Sequence, residues 1–303
     1  MPLYATVFSV PAKRKGFSAK EKIIIPLMGL LFILFYIFVL YNPQNRISPP
    51  SASSFKSQPW MSFIPKNVED FRFLNTTQLV KFPNLFSDSI LLSIKEVQLN
   101  VSITDAIYGL DIETKNNIIV NVIALNRTYF EEVKRTFETS NLTSIIYDKI
   151  TLYKLKTAPI SMQGEAWVSF FDDAIILCEG NITAQEEIKS VYNAASNSFF
   201  ANETFKIGYL ITSLSENQFI FSFYQSGNNS LNVLWEMRSA SNTTDITARE
   251  AFYFASGKDL DSKYQEVLND IFNKSKRTWI SDNFIVGEST YSISDIRAVM
   301  MGA

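Results

Sequence analysis

The chain has 303 residues and a formal net charge of −2, so bulk electrostatics favours neither nucleic acid nor an anionic surface as its partner. Histidine is absent, which removes the commonest general base and zinc ligand, and the single cysteine, Cys178, excludes an intrachain disulfide. The sequence contains no glycine-rich phosphate loop, metal-ligand cluster or Ser/His/Asp set, so we expect neither a cofactor nor a metal.

A run of nineteen uncharged and mostly apolar residues, Ile23–Tyr41, is the first predicted element. At about 1.5 Å per residue it is long enough for a hydrocarbon core about 30 Å thick. The preceding head, residues 1–22, is basic, and the positive-inside rule places it in the cytoplasm. We therefore expect a single-pass signal-anchor in the cell membrane, with the lipid bilayer as a partner and residues beyond 41 outside the cell.

Two alternatives for this region stay open. The apolar run resembles the core of a cleaved signal peptide, although it is long for one and no small-x-small site follows it directly. Residues 15–18, Lys-Gly-Phe-Ser, resemble a prepilin peptidase site, with Glu21 five residues beyond Gly16. That alternative predicts a pilin-like filament subunit whose mature chain starts at Phe17, but Lys20 and Lys22 interrupt its apolar helix.

The residues after the span indicate an extracytoplasmic glycoprotein. Residues 42–59 are rich in proline and serine and predict a solvated tether. Every Asn-x-Ser/Thr sequon follows the span, which agrees with the topology expected from charge and makes N-linked glycans a second expected partner. The candidate glycosylation sites are Asn75, Asn100, Asn126, Asn141, Asn181, Asn202, Asn228, Asn242 and Asn273.

An internal repeat divides the body. Residues 126–137 match residues 181–192, and in both copies an apolar run precedes an amphipathic helix. We expect Thr128 and Thr183 to be N-caps, each completing a capping box with the glutamate three residues later. The stretch from Trp167 also matches the C-terminal stretch from Trp279, with a short gap. The body is therefore predicted to contain two related halves, 60–200 and 201–303, although a chance origin of the match stays open.

In chain order, hydrophobic periodicity predicts an α+β fold in which antiparallel sheets are covered by helices on one side. The expected strands are Asp70–Leu74, a hairpin of Ile94–Ile103 with Ala106–Glu113, Ile118–Leu125, Ile150–Leu155, Trp167–Phe171, Ala174–Cys178, Lys206–Leu214, Gln218–Tyr224, Asn232–Ser239 and Trp279–Gly287. The expected helices are Thr76–Leu92, interrupted at Pro83, Tyr129–Thr139, Ala184–Ala195, Ile246–Ala255, Asp261–Lys274 and Ser294–Met300.

Two features resemble a family pattern. The strand–turn–strand–helix of Trp167–Ala195 partly recurs at the C-terminus, and residues 60–67, Trp-Met-Ser-Phe-Ile-Pro-Lys-Asn, directly follow the tether. Together they loosely resemble archaeal-type, single-pass membrane-anchored surface proteins with a duplicated α+β ectodomain. That resemblance covers most of the body and implies no activity, because none is assigned to the class.

The chemically tempting residues have structural interpretations. Asp172-Asp173 is expected to form a tight turn, and Cys178 to be a buried, unreactive thiol. The adjacent pairs Glu131-Glu132 and Glu186-Glu187 point about 100° apart on a helix and do not converge. Tryptophans 60, 167, 235 and 279 are expected to be core or interface aromatics.

These observations predict a structural or interaction protein with a protein partner at the cell surface or in a membrane complex, and not an enzyme. The alternative is a surface hydrolase of glycans or peptides that uses two carboxylates, because that chemistry needs no histidine.

Overall fold

The computed structural model describes residues 47–81, 90–159, 164–180, 182–196, 198–213, 218–225, 233–240, 245–254 and 277–292. The predicted head and span, and the predicted helices Asp261–Lys274 and Ser294–Met300, lie outside these ranges. Within the described ranges, no helix combines the length and apolar character that crossing a bilayer requires.

The described residues form an α+β fold built on a large antiparallel sheet. Twelve strands make this sheet in the order β13-β14-β12-β11-β10-β1-β4-β5-β9-β8-β7-β6, while β2 and β3 pair separately as a hairpin. The strands are β1 (Val68–Leu74), β2 (Ile90–Ile94), β3 (Leu99–Ser102), β4 (Ala106–Thr114), β5 (Ile119–Leu125), β6 (Thr143–Tyr147), β7 (Ile150–Leu155), β8 (Ala166–Phe171), β9 (Ala174–Glu179), β10 (Gln218–Gln225), β11 (Val233–Ala240), β12 (Asp245–Tyr253), β13 (Arg277–Ser281) and β14 (Phe284–Ser292). The described α-helices are α1 (Thr76–Leu79), α2 (Arg127–Glu138), α3 (Ile182–Tyr192) and α4 (Glu203–Thr212).

A similar strand arrangement occurs on both sides of the β1–β10 pair. On one side β10, β11 and β12 form a meander, and β14 of the β13–β14 hairpin pairs with β12. On the other side β1, β4 and β5 are neighbours, and β9 of the β8–β9 hairpin pairs with β5, but the β2–β3 hairpin is inserted after β1 and the β6–β7 hairpin extends the sheet beyond β8. The register also corresponds. One row of paired residues runs outward as Phe71, Ile112, Val120 and Cys178. Its counterpart runs as Phe221, Met237, Arg249 and Glu288.

Helices cover both faces of the sheet, so the expectation that they lie on one side was wrong. Along β9, Ile175 and Leu177 pack in a core cluster with Phe130, Val133 and Phe137 of α2. The alternate residues Ile176 and Cys178 pack in a second cluster with Ile188 and Val191 of α3. Because successive side chains of a strand point to opposite faces, α2 and α3 lie on opposite sides of the sheet.

Several predicted elements have a different structure. Predicted strand Lys206–Leu214 is helix α4, and predicted helix Ile246–Ala255 is strand β12. Strand β12 is paired on both sides, and sheet pairing outweighs the helix propensity of its Ala, Arg and Glu residues. Of the predicted helix Thr76–Leu92, the residues Thr76–Leu79 are helix α1 and the last three belong to strand β2, while residues 82–89 lie outside the described ranges.

Strand partners differ as well. Predicted partners Ile94–Ile103 and Ala106–Glu113 do not form a hairpin together, because β4 pairs with β1 and β5. The predicted single strand Trp279–Gly287 is a hairpin that turns at Asp282 and Asn283. Strand β6 was not predicted.

Asparagine, not threonine, caps helix α2. The side-chain oxygen of Asn126 accepts a hydrogen bond from the Tyr129 N–H at 2.9 Å. Thr128 therefore lies inside the helix, and Glu131 pairs with Arg127 at 2.7 Å instead of completing a capping box. Helix α3 begins at Ile182, which places Thr183 inside the helix as well.

The described part of the predicted tether contacts the body at two points. The Ile47 N–H donates to the Ile280 carbonyl on the edge strand β13 at 2.8 Å. Phe55 stacks on Phe200 with ring centroids 5.4 Å apart and meets Tyr209 edge-on at 5.7 Å. The chain therefore joins the sheet at its β13 edge. Residues 42–46 of the predicted tether lie outside the described ranges.

Candidate functional site

The five described sequon asparagines are mostly accessible. Asn100, Asn126, Asn141 and Asn202 are exposed, and Asn75 is half-buried. Asn181, Asn228, Asn242 and Asn273 lie outside the described residues. Glycan occupancy stays a prediction, and the exposure of these four side chains is what a glycan acceptor needs.

Most of these asparagines also have a local structural role through the side-chain oxygen. Asn75, Asn126 and Asn202 accept hydrogen bonds from backbone N–H groups at the starts of α1, α2 and α4. Asn100 accepts a hydrogen bond from the Ser93 hydroxyl across the β2–β3 hairpin at 2.7 Å. Within the described part of the chain, Asn141 is the sequon asparagine whose side chain has no such partner.

Strand β6 is an outer edge of the sheet and carries the most exposed large apolar side chain among the described residues. Ile146 is 80% exposed. The strand reads Thr-Ser-Ile-Ile-Tyr, so it contains no charge and no proline. Native proteins usually protect edge strands with charges, prolines or bulges, because an unprotected edge is a template for another strand.

The hairpin geometry shows which backbone groups of β6 face outward. A two-residue turn, Asp148-Lys149, joins β6 to β7, so Tyr147 and Ile150 form the hydrogen-bonded pair that closes it. Hydrogen-bonded and non-hydrogen-bonded pairs alternate along an antiparallel ladder, which directs the N–H and C=O groups of Ser144 and Ile146 away from β7. No residue in the described ranges bonds these groups.

The β6–β7 turn is fixed against helix α3. A cavity of about 250 Å³ lies over this helix, lined by Pro65, Glu186, Lys189, Ser190 and Asn193. Its charged groups are already paired, since Lys189 bonds Asp148 at 2.9 Å and Glu186 accepts from the Tyr147 hydroxyl. The bond to Lys189 lowers the pKa of Asp148. These contacts position one end of the exposed edge.

A carboxyl pair lies near the centre of the sheet and was not anticipated from the sequence. Asp70 on β1 is opposite Glu113 on β4. Burial, a hydrogen bond with Glu113 and repulsion from Glu113 raise the pKa of Asp70 to about 6, while Arg72 opposes the shift. Asp70 and Glu113 lie 43 residues apart in sequence, so only the pairing of β1 with β4 reveals that they are neighbours.

The geometry of this pair does not match glycoside hydrolysis. Retaining glycosidases separate their two carboxyl groups by about 5–5.5 Å, and inverting enzymes by more, so that substrate or water fits between them. Asp70 and Glu113 are directly opposite each other on adjacent strands, where opposed Cβ atoms lie only about 4.5–5.5 Å apart, and Glu113 raises the pKa of Asp70, so the two carboxyl groups adjoin without a gap for substrate. The arrangement instead resembles two carboxyl groups that share a proton.

We expect Asp70→Asn to remove a pH-dependent loss of stability. The pKa of Asp70 is raised from 3.8 to about 6, so the folded state holds this proton more tightly than the unfolded state does. Stability should therefore fall as pH rises from about 4 to about 6. Because the group is only partly buried and solvent screens it, we expect a discounted effect of about 1 kcal/mol in favour of the variant at pH 8.

Urea unfolding of the full chain in mild detergent at pH 4 and pH 8 measures this difference. Asp111→Asn is the control, because it removes a carboxylate from the same sheet face, one that accepts from Asn121 at 2.7 Å, and leaves the pair intact. A variant at position 70 that keeps the wild-type pH slope would contradict the shared proton.

Residues interpreted as structural have that role. Asp172 and Asp173 form the two-residue turn between β8 and β9, with φ angles of 52° and 62°. Cys178 is fully buried, and burial raises the pKa of its thiol to about 12. Trp60, Trp167 and Trp279 are buried. The side chain of Trp235 is outside the described set.

The glutamate pairs also diverge as expected. Glu131 bonds Arg127, Glu186 bonds Tyr147, and the buried Glu187 accepts from the Asn116 amide at 2.8 Å. Among the described residues, no group of three or more acidic or cysteine side chains is placed to hold a metal ion.

The fold and these surfaces define an α+β protein with one twelve-stranded antiparallel sheet. No protein-family model matches the chain, and no curated protein matches it. Among solved structures, crystal form I of TP0453, a Treponema protein, is similar at 9% sequence identity and a TM-score of 0.47. The match covers 81% of this chain and 97% of TP0453.

Proposed function

We propose that this protein is a single-pass membrane glycoprotein whose outer domain acts by protein–protein contact at the free edge β6. The observation that carries this proposal is the edge itself, where the outward backbone groups of Ser144 and Ile146 have no partner among the described residues and the Ile146 side chain is 80% exposed. Addition of a strand to an exposed sheet edge is a common mode of protein recognition, in which main-chain hydrogen bonds supply affinity.

The other edge of the sheet is less open to strand addition. Strand β13 is that edge, and its Ile280 carbonyl already accepts a hydrogen bond from the Ile47 N–H at 2.8 Å. Strand β6 is therefore the edge that the proposal assigns to recognition. The membrane anchor in the proposal rests on the apolar run Ile23–Tyr41.

Two related halves, 60–200 and 201–303, belong to the proposal. The similar strand arrangement and register on either side of the β1–β10 pair support a duplication. The hairpin turns support the duplication independently. Cys178 is the fifth residue after the β8–β9 turn, which ends at Asp173, and Glu288 is the fifth residue after the β13–β14 turn, which ends at Asn283. A one-residue slip anywhere along either row would break this correspondence.

A hydrolase remains the second candidate function, and the Asp70–Glu113 pair is the site it would use. The contact between these carboxyl groups disfavours it for glycosides. A shared proton is compatible with peptide hydrolysis, in which two aspartates in contact activate water. Loss of activity on peptides in both Asp70→Asn and Glu113→Gln variants, with the fold retained, would support this alternative.

The main proposal predicts a contact at position 146 in native membranes. We expect a photo-crosslinking residue at position 146 to form protein adducts, and one at position 119 to form few. Ile119 is the matched control, because it is 51% exposed but lies on the interior strand β5. Mass spectrometry of the material purified in mild detergent reads the adducts, the N-terminus and the occupied sequons together.

Each part of the proposal has a contradicting outcome in that experiment. Equal labelling at positions 146 and 119 would reject the edge contact. Unmodified asparagines throughout, together with a body protected from external protease, would reject the topology. A mature chain that starts at Phe17 would replace the anchor with the pilin-like alternative.

A further inference from the structure

The last residue of strand β6 connects the free edge to helix α3. Tyr147 is partly buried against the core cluster that contains Ile188 and Val191 of α3, so its side chain lies on the α3 side of the sheet. Its hydroxyl donates to the Glu186 carboxylate, and the Lys189 ammonium lies 5.7 Å from the centroid of its ring. In a strand added beside β6, the side chain opposite Tyr147 therefore also faces α3.

Glu186 has no cation within ion-pair distance in the described ranges. Lys189 bonds Asp148 at 2.9 Å and interacts with Glu186 only through longer-range attraction. Lys149, in the β6–β7 turn, likewise interacts with Asp148. Glu186 is exposed and lines the cavity of about 250 Å³ over α3, so open space adjoins its carboxylate. This acid, beside the end of the edge strand, can accept a cation that a neighbouring strand supplies.

We propose that the strand recognised at β6 carries a lysine or arginine opposite Tyr147, and that Glu186 selects this cation. This inference rests on the proposed function, because it requires strand addition at β6. The outward groups of Ser144 and Ile146 define the hydrogen-bonded pairs, so Tyr147 belongs to a non-hydrogen-bonded pair, in which opposite Cα atoms are about 4.5 Å apart. An extended lysine side chain is about as long as that of tyrosine, so its ammonium reaches the Tyr147 hydroxyl and the Glu186 carboxylate beside it.

The rest of the edge specifies the neighbouring positions of this partner strand. Every pair in the large sheet is antiparallel, so we assign the added strand the same direction. The two residues that follow its cation then lie opposite Ile146, which is 80% exposed, and Ile145, which packs at the border of the core. Apolar residues there bury existing apolar surface. The partner is therefore a protein segment that is basic and then apolar. This contact is at the end of β6 away from the sequon Asn141, which precedes the strand.

Blocked peptides test this preference. The probe is the acetylated and amidated peptide Thr-Lys-Ile-Val-Thr-Val, with counterparts in which Glu or Gln replaces Lys. Fluorescence anisotropy measures the binding of each labelled peptide to the full-length protein in mild detergent. We expect the Lys peptide to bind about fivefold more tightly than the Glu peptide at low salt, with the Gln peptide between them. The difference should shrink at high salt, because ions screen exposed charges.

Three variants locate the effect. Ser144→Pro removes an outward N–H and no bond to β7, so it should weaken binding of all three peptides at least tenfold. Glu186→Gln keeps an acceptor for the Tyr147 hydroxyl but removes the charge, so the Lys and Glu peptides should bind equally. Glu131→Gln is the matched control and should retain the preference, because Glu131 is at the corresponding position of the internal repeat, on helix α2 across the sheet.

The possible failures are distinguishable. Equal binding of the three peptides that Ser144→Pro still weakens would overturn the inference and leave recognition at the edge intact. A preference for Lys that persists in Glu186→Gln, or that disappears in Glu131→Gln, would overturn the inference as well. If no peptide binds, or if Ser144→Pro leaves binding unchanged while keeping a native circular dichroism spectrum, strand addition at β6 is rejected together with the inference.

Discussion

Replacing Trp60 with alanine is expected to lower the free energy of unfolding by about 3–5 kcal/mol, the range typical of large-to-small aromatic substitutions in a core. Trp60 is 3% exposed and stacks on Phe73 of the central strand β1 with ring centroids 4.4 Å apart. It also packs against Phe221 on β10 at 5.8 Å and against Phe200 at 6.0 Å. The residue therefore joins the segment before β1 to both strands of the central pair.

The loss should be large because the cavity cannot collapse easily. The rings around Trp60 belong to paired strands, to helix α4 and to the 3-10 helix Phe199–Ala201, whose positions are fixed by other contacts, so the site relaxes only in part. Urea unfolding of the full chain in mild detergent, followed by far-ultraviolet circular dichroism, measures the change.

Phe55→Ala is the control. Phe55 is only partly buried, and we expect its loss to cost about 1 kcal/mol. A Trp60→Ala variant within 1 kcal/mol of wild type would contradict this account of the core.

Sequence periodicity predicted much of the first half because its strands are bounded and short. Ile119–Leu125, Ile150–Leu155 and Ala174–Glu179 lie within a residue of the predicted limits. They are rich in isoleucine and valine and are bounded by turn residues, so local preference and sheet position agree. The turn at Asp172-Asp173 could be predicted for the same reason.

The second half was harder because local preference and tertiary position disagree there. Strand β12 contains Ala, Arg and Glu, which favour helices, yet it is paired along its length with β11 and β14. Helix α4 carries Thr, Phe, Ile and Tyr, which favour strands, and the Asn202 side-chain oxygen caps its start by accepting a hydrogen bond from the Thr204 N–H. Neither assignment follows from periodicity alone, because packing decided both.

The candidate sites depend on strand order, which a single sequence does not encode visibly. The Asp70–Glu113 pair exists because β1 and β4 are neighbours. Strand β6 is an exposed edge because it is last in the strand order. Its sequence, Thr-Ser-Ile-Ile-Tyr, would suit an interior strand equally well, so it does not reveal that position. The sequons were visible in the sequence, but the position of Asn141 next to an edge strand required the location of β6.

The two rows of paired residues on either side of the β1–β10 pair, which the proposed duplication relates to each other, differ at one chemically important position. The first half has Val120 opposite Cys178, both fully buried. The second half has Arg249 opposite Glu288 at the corresponding positions, joined by an ion pair of 2.6 Å with side chains 22% and 26% exposed. An apolar pair therefore occupies this position in the first half, and an ion pair occupies it in the second half.

Arg249 has a wider role than its ion pair. Its guanidinium donates to the Ser213 carbonyl at 2.8 Å, just beyond the end of helix α4, and to the Ile211 carbonyl at 3.3 Å. It also lies over the ring of Trp279 at 5.4 Å. The side chain therefore ties α4 to β12 and β14, and it satisfies carbonyl groups that the end of a helix leaves without partners.

Replacing Arg249 with valine is expected to cost about 3 kcal/mol, because it leaves Glu288 and two carbonyl groups without their donor. The double variant Arg249→Val, Glu288→Val reproduces the apolar character of the pair in the first half. We expect it to recover at least about 1 kcal/mol, since exchanging a partly buried ion pair for apolar side chains removes the unpaired charge that Arg249→Val leaves behind.

Urea unfolding of the full chain gives all three stabilities. Lys134→Ala is the control for an exposed pair, because its partner Glu138 lies 3.9 Å away and both side chains are largely exposed, so the expected loss is below about 0.5 kcal/mol. A double variant less stable than Arg249→Val would mean that Glu288 supports the fold without Arg249. In that case the opposite residue on β13, Arg277, would be its effective partner. Recovery in the double variant would instead show that the second half accepts an apolar pair at the position where the first half has Val120 and Cys178. The proposed duplication predicts this result.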